Sequence, residues 1–245
     1  MNHDPRPGGL ASPAPLPADR MDPLRAVVLT LVLAALAVAG NYFNLSLFFG
    51  LQLIFGSVAV LLAIAWLGTP AGLVVAAASG AYTYLIWDHP YALVIILAEA
   101  AFVGWHRDRA RRSGRALPAL GFSVALFWLL IGIPLVLLLY RLAIGMIWQQ
   151  TLLVAIKQAL NGILNAALAG LVLMAVTALL RRPGSLAMRQ LLYSLLLSGF
   201  LLPAILVVAW ENRDLKERLE GELADRLRIF GAFVVHELGT HAAGG

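Results

Sequence analysis

A lysine and two asparagines lie at helical spacing within one long apolar stretch. Lys157, Asn161 and Asn165 follow one another at intervals of four residues, and Gln158 lies beside them. Side chains at i, i+4 and i+8 share one face of an α-helix, so they form a polar stripe. One cation and several amides on one face suit a water-accessible cavity that holds a polar ligand. The alternative is hydrogen bonding between helices, which Asn and Gln commonly provide in membranes.

A carboxylate lies at a matching position in another apolar stretch. Glu99 and Lys157 are each about nine residues from one end of their predicted helices, which is about 13 Å of depth. If the two helices are neighbours, the side chains form an intramembrane ion pair. Such a pair either contributes to a ligand site or only fixes the packing of the helices.

Polar and aromatic residues also cluster near two short predicted loops. These further candidate ligand-binding residues are Asn41, Tyr42, Asn44, Tyr84, Trp87 and His89. Tyr and Trp often mark the membrane–water interface, but their number here favours a stacking site for a flat or amphipathic ligand. His89 is interpreted as a cap or loop residue, because no second metal ligand lies at a recognisable spacing. We predict no metal site, no cofactor and no catalytic residue.

The composition identifies the class of protein that must position these groups. The chain has 245 residues, of which 61% are apolar and only 13% are charged. Soluble domains are about half apolar and about a quarter charged, so the sequence predicts an all-α polytopic membrane protein. It has no cysteine, which excludes disulfides and thiolate metal sites. The net charge of +5 comes from arginines in short loops, which mark topology and do not indicate nucleic-acid binding.

The apolar runs place seven transmembrane helices. We predict them at 24–41, 45–67, 70–87, 90–105, 117–140, 149–180 and 187–210. The proline-containing leader 1–22 is predicted to be disordered, because it has no apolar stripe with which to form a core. The bundle 24–180 is expected to bind the ligand, and the seventh helix is expected to continue into a charged helical connector at 211–245.

Arginine distribution predicts the orientation. The loop 106–115 carries five arginines, and Arg6, Arg20 and Arg25 precede the first helix. Under the positive-inside rule both regions are cytoplasmic. We therefore expect a multi-pass membrane protein with a cytoplasmic N-terminus and an extracytoplasmic C-terminus.

The segment 211–235 has the pattern of an amphipathic helix. Its leucines recur every four residues, as at Leu215, Leu219 and Leu223. It is either a solvated connector or the seam of a homodimer. The final residues look like a cut within a longer protein. Nearby His236, Glu237 and His241 resemble a zinc motif and a phosphoacceptor box, but the histidines are five residues apart and the expected topology places them outside, away from ATP.

Several short blocks of sequence resemble known membrane regions. The blocks are 41–50, 55–57, 82–92, 99–104 and 157–166. Together they resemble the N-terminal membrane-embedded sensor region of bacterial signalling proteins of the histidine kinase and diguanylate cyclase type. They are also similar to the six-helix S-components of energy-coupling-factor vitamin transporters. The resemblance implies a six-helix S-component-like bundle followed by a seventh transmembrane helix, in a bacterial inner membrane.

The resemblance also implies a function. We expect a transmembrane sensor that binds a small, vitamin-like or amphipathic ligand from outside. It would pass the signal through helix seven to output domains that this chain lacks, so we do not expect the chain to be an enzyme. The alternatives are an S-component-like substrate-binding subunit of a vitamin uptake transporter and a purely structural membrane anchor. An anchor leaves the stripe of Lys157 and the asparagines unexplained.

Overall fold

The computed structural model describes residues 21–46, 52–180 and 221. Most of the predicted leader 1–22, the predicted seventh helix 187–210 and nearly all of the connector 211–245 lie outside these residues. The dimer seam proposed at 211–235 lies outside them too, apart from Gly221.

The described chain is built mainly of helices. Their bounds are Pro23–Tyr42 (α1), Gly56–Leu67 (α2), Thr69–Trp87 (α3), Tyr91–Arg112 (α4), Leu120–Ala143 (α5) and Trp148–Leu180 (α6). Two short strands, Leu45–Ser46 (β1) and Gln52–Leu53 (β2), form an antiparallel pair between α1 and α2. Pro23 and Pro70 lie in the first turns of their helices, where the missing N–H costs no intrahelical bond.

Four of the described helices have the length and composition of membrane spans. Among the described residues, α1, α3, α5 and α6 are long and apolar enough to cross a bilayer, whereas α2 is a shorter apolar helix of 12 residues. The prediction of an α-helical membrane protein is confirmed. Helix α3 packs against α1, α2 and α4, and α6 packs against α2 and α5. Buried Val75, Val103 and Phe127 belong to the core between these helices.

The predicted second helix, 45–67, is wrong in its first part. Leu45 pairs with Leu53 and Ser46 pairs with Gln52, and the helix begins only at Gly56. The apolar composition of this run predicts a helix, but the backbones of residues 45–46 and 52–53 pair with each other as two strands. Helix α4 extends to Arg112, beyond the predicted end at 105. Arginines in its last turn are favourable there, because they interact with the negative end of the helix dipole.

Helix α5 contains two π-helical segments. They span Trp128–Gly132 and Leu139–Ala143, on either side of Pro134. Proline lacks the N–H that an α-helix needs and clashes with the carbonyl four residues earlier, which accounts for the changed winding of Trp128–Gly132. Such segments are frequent at functional sites. Here Trp128 and Tyr140 lie in the two segments, and both are buried.

Candidate functional site

A small cavity lies between α2, α4, α5 and α6, beside the end of α3. Its volume is about 30 Å³, close to the share of one water molecule in the liquid. The polar part of its lining consists of Ser57, Trp87, Glu99, Trp128, Lys157, Gln158 and Asn161. The structure therefore brings together five of the predicted residues, Trp87, Glu99, Lys157, Gln158 and Asn161.

Glu99 is held in the cavity wall by an indole. Its side chain is only 5% exposed, and its Oε2 accepts a hydrogen bond of 2.8 Å from Nε1 of Trp128. Gly162 of α6 faces the same indole, and a Cβ at that position would collide with the indole nitrogen. Because Gly162 has no side chain, α6 can approach α5 closely while Trp128 keeps the orientation in which it donates to Glu99.

Lys157 lies across the same cavity without a hydrogen-bond partner in the described part of the chain. Its Nζ is 5.2 Å from the centroid of the Trp87 ring, which is a cation–π distance. An ammonium has three donors, so all three remain available for a ligand or water. Within residues 21–46 and 52–180, Lys157 and Glu99 share the cavity but form no ion pair with each other.

The two asparagines of the stripe bind backbone. Asn161 accepts a hydrogen bond of 3.2 Å from the N–H of Ile54, and Nδ2 of Asn165 donates to the carbonyl of Ile54 at 2.9 Å. These bonds satisfy the backbone of a residue that lies outside any helix or strand, as buried peptide groups require. Asn165 is fully buried, whereas Asn161 also borders the cavity.

Asn41 completes this arrangement from α1. Its Oδ1 accepts a hydrogen bond of 2.8 Å from the N–H of Gly56, and its Nδ2 donates to the carbonyl and hydroxyl of Ser79 at 3.0 and 2.9 Å. Asn41, Asn161 and Asn165 together hold the segment 54–56, and we call them the asparagine clamp. The clamp joins α1, α3 and α6 to the chain that leads into α2.

The remaining predicted site residues lie away from the cavity wall. Asn44 bonds only to the nearby carbonyl of Tyr42, at 3.3 Å, and Tyr42 is exposed. Tyr84 is 46% exposed and borders an apolar groove between α1, α3 and α4. Their roles in ligand binding stay predictions.

An aromatic cluster adjoins the cavity. It consists of Trp87, His89, Tyr91 and Tyr140. The His89 ring lies 6.2 Å from that of Trp87, 5.2 Å from that of Tyr91 and 5.5 Å from that of Tyr140. The Tyr140 hydroxyl accepts a hydrogen bond of 3.3 Å from Gln158, which lines the cavity. The predicted loop residue His89 therefore lies next to the site.

Three residues at the site, Ser57, Trp128 and Tyr140, were not among the sequence candidates. The signal for Trp128 is its position inside an apolar helix, because a buried indole N–H needs an acceptor and Glu99 is one of few in the apolar stretches. Tyr140 resembled an ordinary interfacial residue.

In the part of the chain that the structure describes, no group of three His, Cys, Asp or Glu residues could hold a metal ion.

The bond from Ile54 to Asn161 can be tested by amide hydrogen exchange. We expect Asn161→Leu to accelerate exchange at the Ile54 amide by about fivefold, because a hydrogen bond contributes about 1 kcal/mol net. Peptide-resolved mass spectrometry of the protein in detergent would measure this rate. Gln150→Leu on the exposed start of α6 is the matched control and should leave it unchanged. Equal exchange in both variants would contradict the role of Asn161.

Comparison with known proteins identifies the fold. No family model and no curated protein matches the chain. The chain is similar to the solved structure of the S component of a bacterial ECF transporter, with a TM-score of 0.55 and 20% sequence identity. The match covers 66% of this chain and 100% of that chain. The expectation of an S-component-like fold is confirmed.

Proposed function

We propose that this membrane protein of S-component-like fold binds a small ligand with a charged group in the cavity between Glu99 and Lys157. The supporting observation is the Lys157 ammonium, which meets the face of Trp87 and no hydrogen-bond acceptor among the described residues. An ionisable group inside a membrane bundle is costly unless it is paired, so such groups usually mark a site that ligands or ions use.

The lining suggests a role for each residue. Lys157 would bind an acidic group of the ligand, and Glu99, oriented by Trp128, would accept hydrogen bonds from a donor. The amides of Gln158 and Asn161 border the same space. The face of Trp87 would stack on an unsaturated ring. A ligand with separate acidic and donor groups matches this lining best.

Binding requires the cavity to open. Sites for drug-sized molecules measure about 300–1,000 Å³, whereas this cavity measures about 30 Å³. The aromatic cluster is the part best suited to move, because His89 lies in the turn between α3 and α4 and Tyr140 lies in a π-helical segment. Nδ1 of His89 is also buried without a partner within the described ranges, so opening gives it water to bond to.

The output that we favour is signalling. Beyond α6 the sequence has another apolar stretch at 187–210 and the amphipathic pattern at 211–235, which a binding bundle alone does not require. A ligand would change the pose of that predicted helix only through different affinities for two poses. The runner-up is a substrate-binding subunit of a vitamin uptake transporter. The similarity to the S component of an ECF transporter favours it.

Native mass spectrometry of the detergent-purified chain tests the proposal. We expect a small molecule bound at one copy per chain, and fragmentation would identify its class. Protein that carries no molecule, even when purified from membranes without washing, would contradict ligand binding. Co-purification of an ATPase would favour transport, whereas a longer gene product with a cytoplasmic output domain would favour signalling.

A further inference from the structure

A second polar region lies at the end of α4 opposite the aromatic cluster. Residues 106–115 contain five arginines and one carboxylate, that of Asp108. We call Arg107, Arg109, Arg111, Arg112 and Arg115 the arginine surface. It lies outside the lining of the ligand cavity.

The carboxylate of Asp108 is already engaged. Its Oδ2 accepts a hydrogen bond of 2.6 Å from the hydroxyl of Thr69, and its Oδ1 lies 3.7 Å from the guanidinium of Arg111. Within residues 52–180 no other member of the arginine surface forms a salt bridge. The surface therefore has a large excess of positive charge.

Arg107 differs from the others because it is buried. Its side chain is only 8% exposed, and one terminal nitrogen donates to the carbonyl of Pro118 at 3.0 Å. Its Nε is buried and has no acceptor among the residues described. A buried guanidinium with an unused donor is costly. An anion with several oxygens would accept from Nε and satisfy the charge.

The position of Arg107 limits what that anion is. Trp105, two residues earlier, is half exposed, and the guanidinium of Arg109 lies 5.9 Å from its ring. A change from apolar residues to arginines next to an exposed Trp marks the membrane–water interface. The phosphates of membrane lipids lie at this level, and basic pockets between helices bind their headgroups.

We propose that Arg107 and the arginine surface bind the phosphate of an anionic phospholipid headgroup. The planar guanidinium of Arg107 would turn toward the surface, so that its unused Nε donates to a phosphate oxygen. The exposed Arg112 and Arg115 would add attraction for a net negative headgroup. The site holds one lipid at a fixed position, which distinguishes it from diffuse attraction to a charged membrane.

The test uses the full chain in nanodiscs of phosphatidylcholine mixed with phosphatidylglycerol, released into a mass spectrometer. We expect the wild type to retain phosphatidylglycerol about tenfold over phosphatidylcholine. Arg107→Lys keeps the charge but removes the Nε donor and the planar fork, and should abolish this preference. Arg25→Gln removes one exposed charge at the start of α1, outside the arginine surface, and is the matched control, which should keep this preference.

Three results would overturn the proposal. Equal loss of preference in both variants would mean diffuse attraction. Displacement of the retained lipid by millimolar inorganic phosphate would mean a site for soluble anions. Equal retention of both lipids by the wild type would mean no selective site, and this measurement stands even if Arg107→Lys does not fold.

Discussion

Asn41→Ala is expected to destabilise the protein by about 2–4 kcal/mol, because it removes three hydrogen bonds from a fully buried position. The N–H of Gly56 would lose its acceptor at the start of α2, and the Ser79 hydroxyl would lose its amide partner. A buried peptide N–H without an acceptor costs about 1–3 kcal/mol by itself. Asn41 has no exposed surface, so these groups are not in contact with bulk water.

Reversible unfolding in mixed detergent micelles would measure this change in the free energy of unfolding. Asn44→Ala is the matched control, because Asn44 is the same residue type three positions along the chain and, within residues 21–46 and 52–180, bonds only to the carbonyl of Tyr42. It should cost less than about 0.5 kcal/mol. Similar losses for the two variants would show that Asn41 does not support α2 as described.

Lys157→Met is expected to reduce the affinity for the co-purified small molecule about 10- to 100-fold. Methionine fills a similar volume but supplies neither charge nor donors, so the ligand loses a charge-assisted hydrogen bond of about 1.5–3 kcal/mol. The protein itself should stay folded, because Lys157 makes no hydrogen bond to any other described residue and only its contact with Trp87 is altered.

The fraction of chains that carry the molecule in native mass spectra would measure this effect. Gln150→Met lies on the exposed first turns of the same helix, away from the cavity, and is the matched control. It should leave occupancy unchanged. If the Lys157→Met protein binds as much ligand as the control, the site lies elsewhere and Lys157 has a packing role.

Much of the fold could be predicted from the sequence, because hydropathy determines where the membrane-spanning helices lie. Long apolar runs predict α1, α3 and α6 within a few residues of their observed bounds. The same reasoning fails for residues 45–46 and 52–55, which belong to an apolar run but lie outside any helix. The backbone of Ile54 is held by side chains of Asn161 and Asn165, which lie 107 and 111 positions away. Local patterns carry no information about such distant partners.

The candidate site was predictable in part for the same reason. Lys157 and Glu99 are visible because charges are rare in apolar stretches, and they do border one cavity. Their partners depend on how the helices meet. Glu99 bonds to Trp128 where an ion pair with Lys157 was one expectation. The polar stripe is divided, since Asn165 binds the backbone of Ile54, which lies outside any helix, while Lys157 borders the cavity, where ligand binding stays a prediction.

The hydrogen bonds of the asparagine clamp form at different times during synthesis of the chain. The carbonyl of Ile54 receives its partner from Asn165, 111 residues later. At about 5–20 residues per second, the ribosome needs about 5–20 s to synthesise that interval. Throughout this delay the peptide groups of Ile54 must stay hydrated or bound to the insertion machinery, because hydrocarbon offers them no partner. A nascent chain arrested before α6 should therefore remain accessible at Ile54, while α1 and α3 are already inserted.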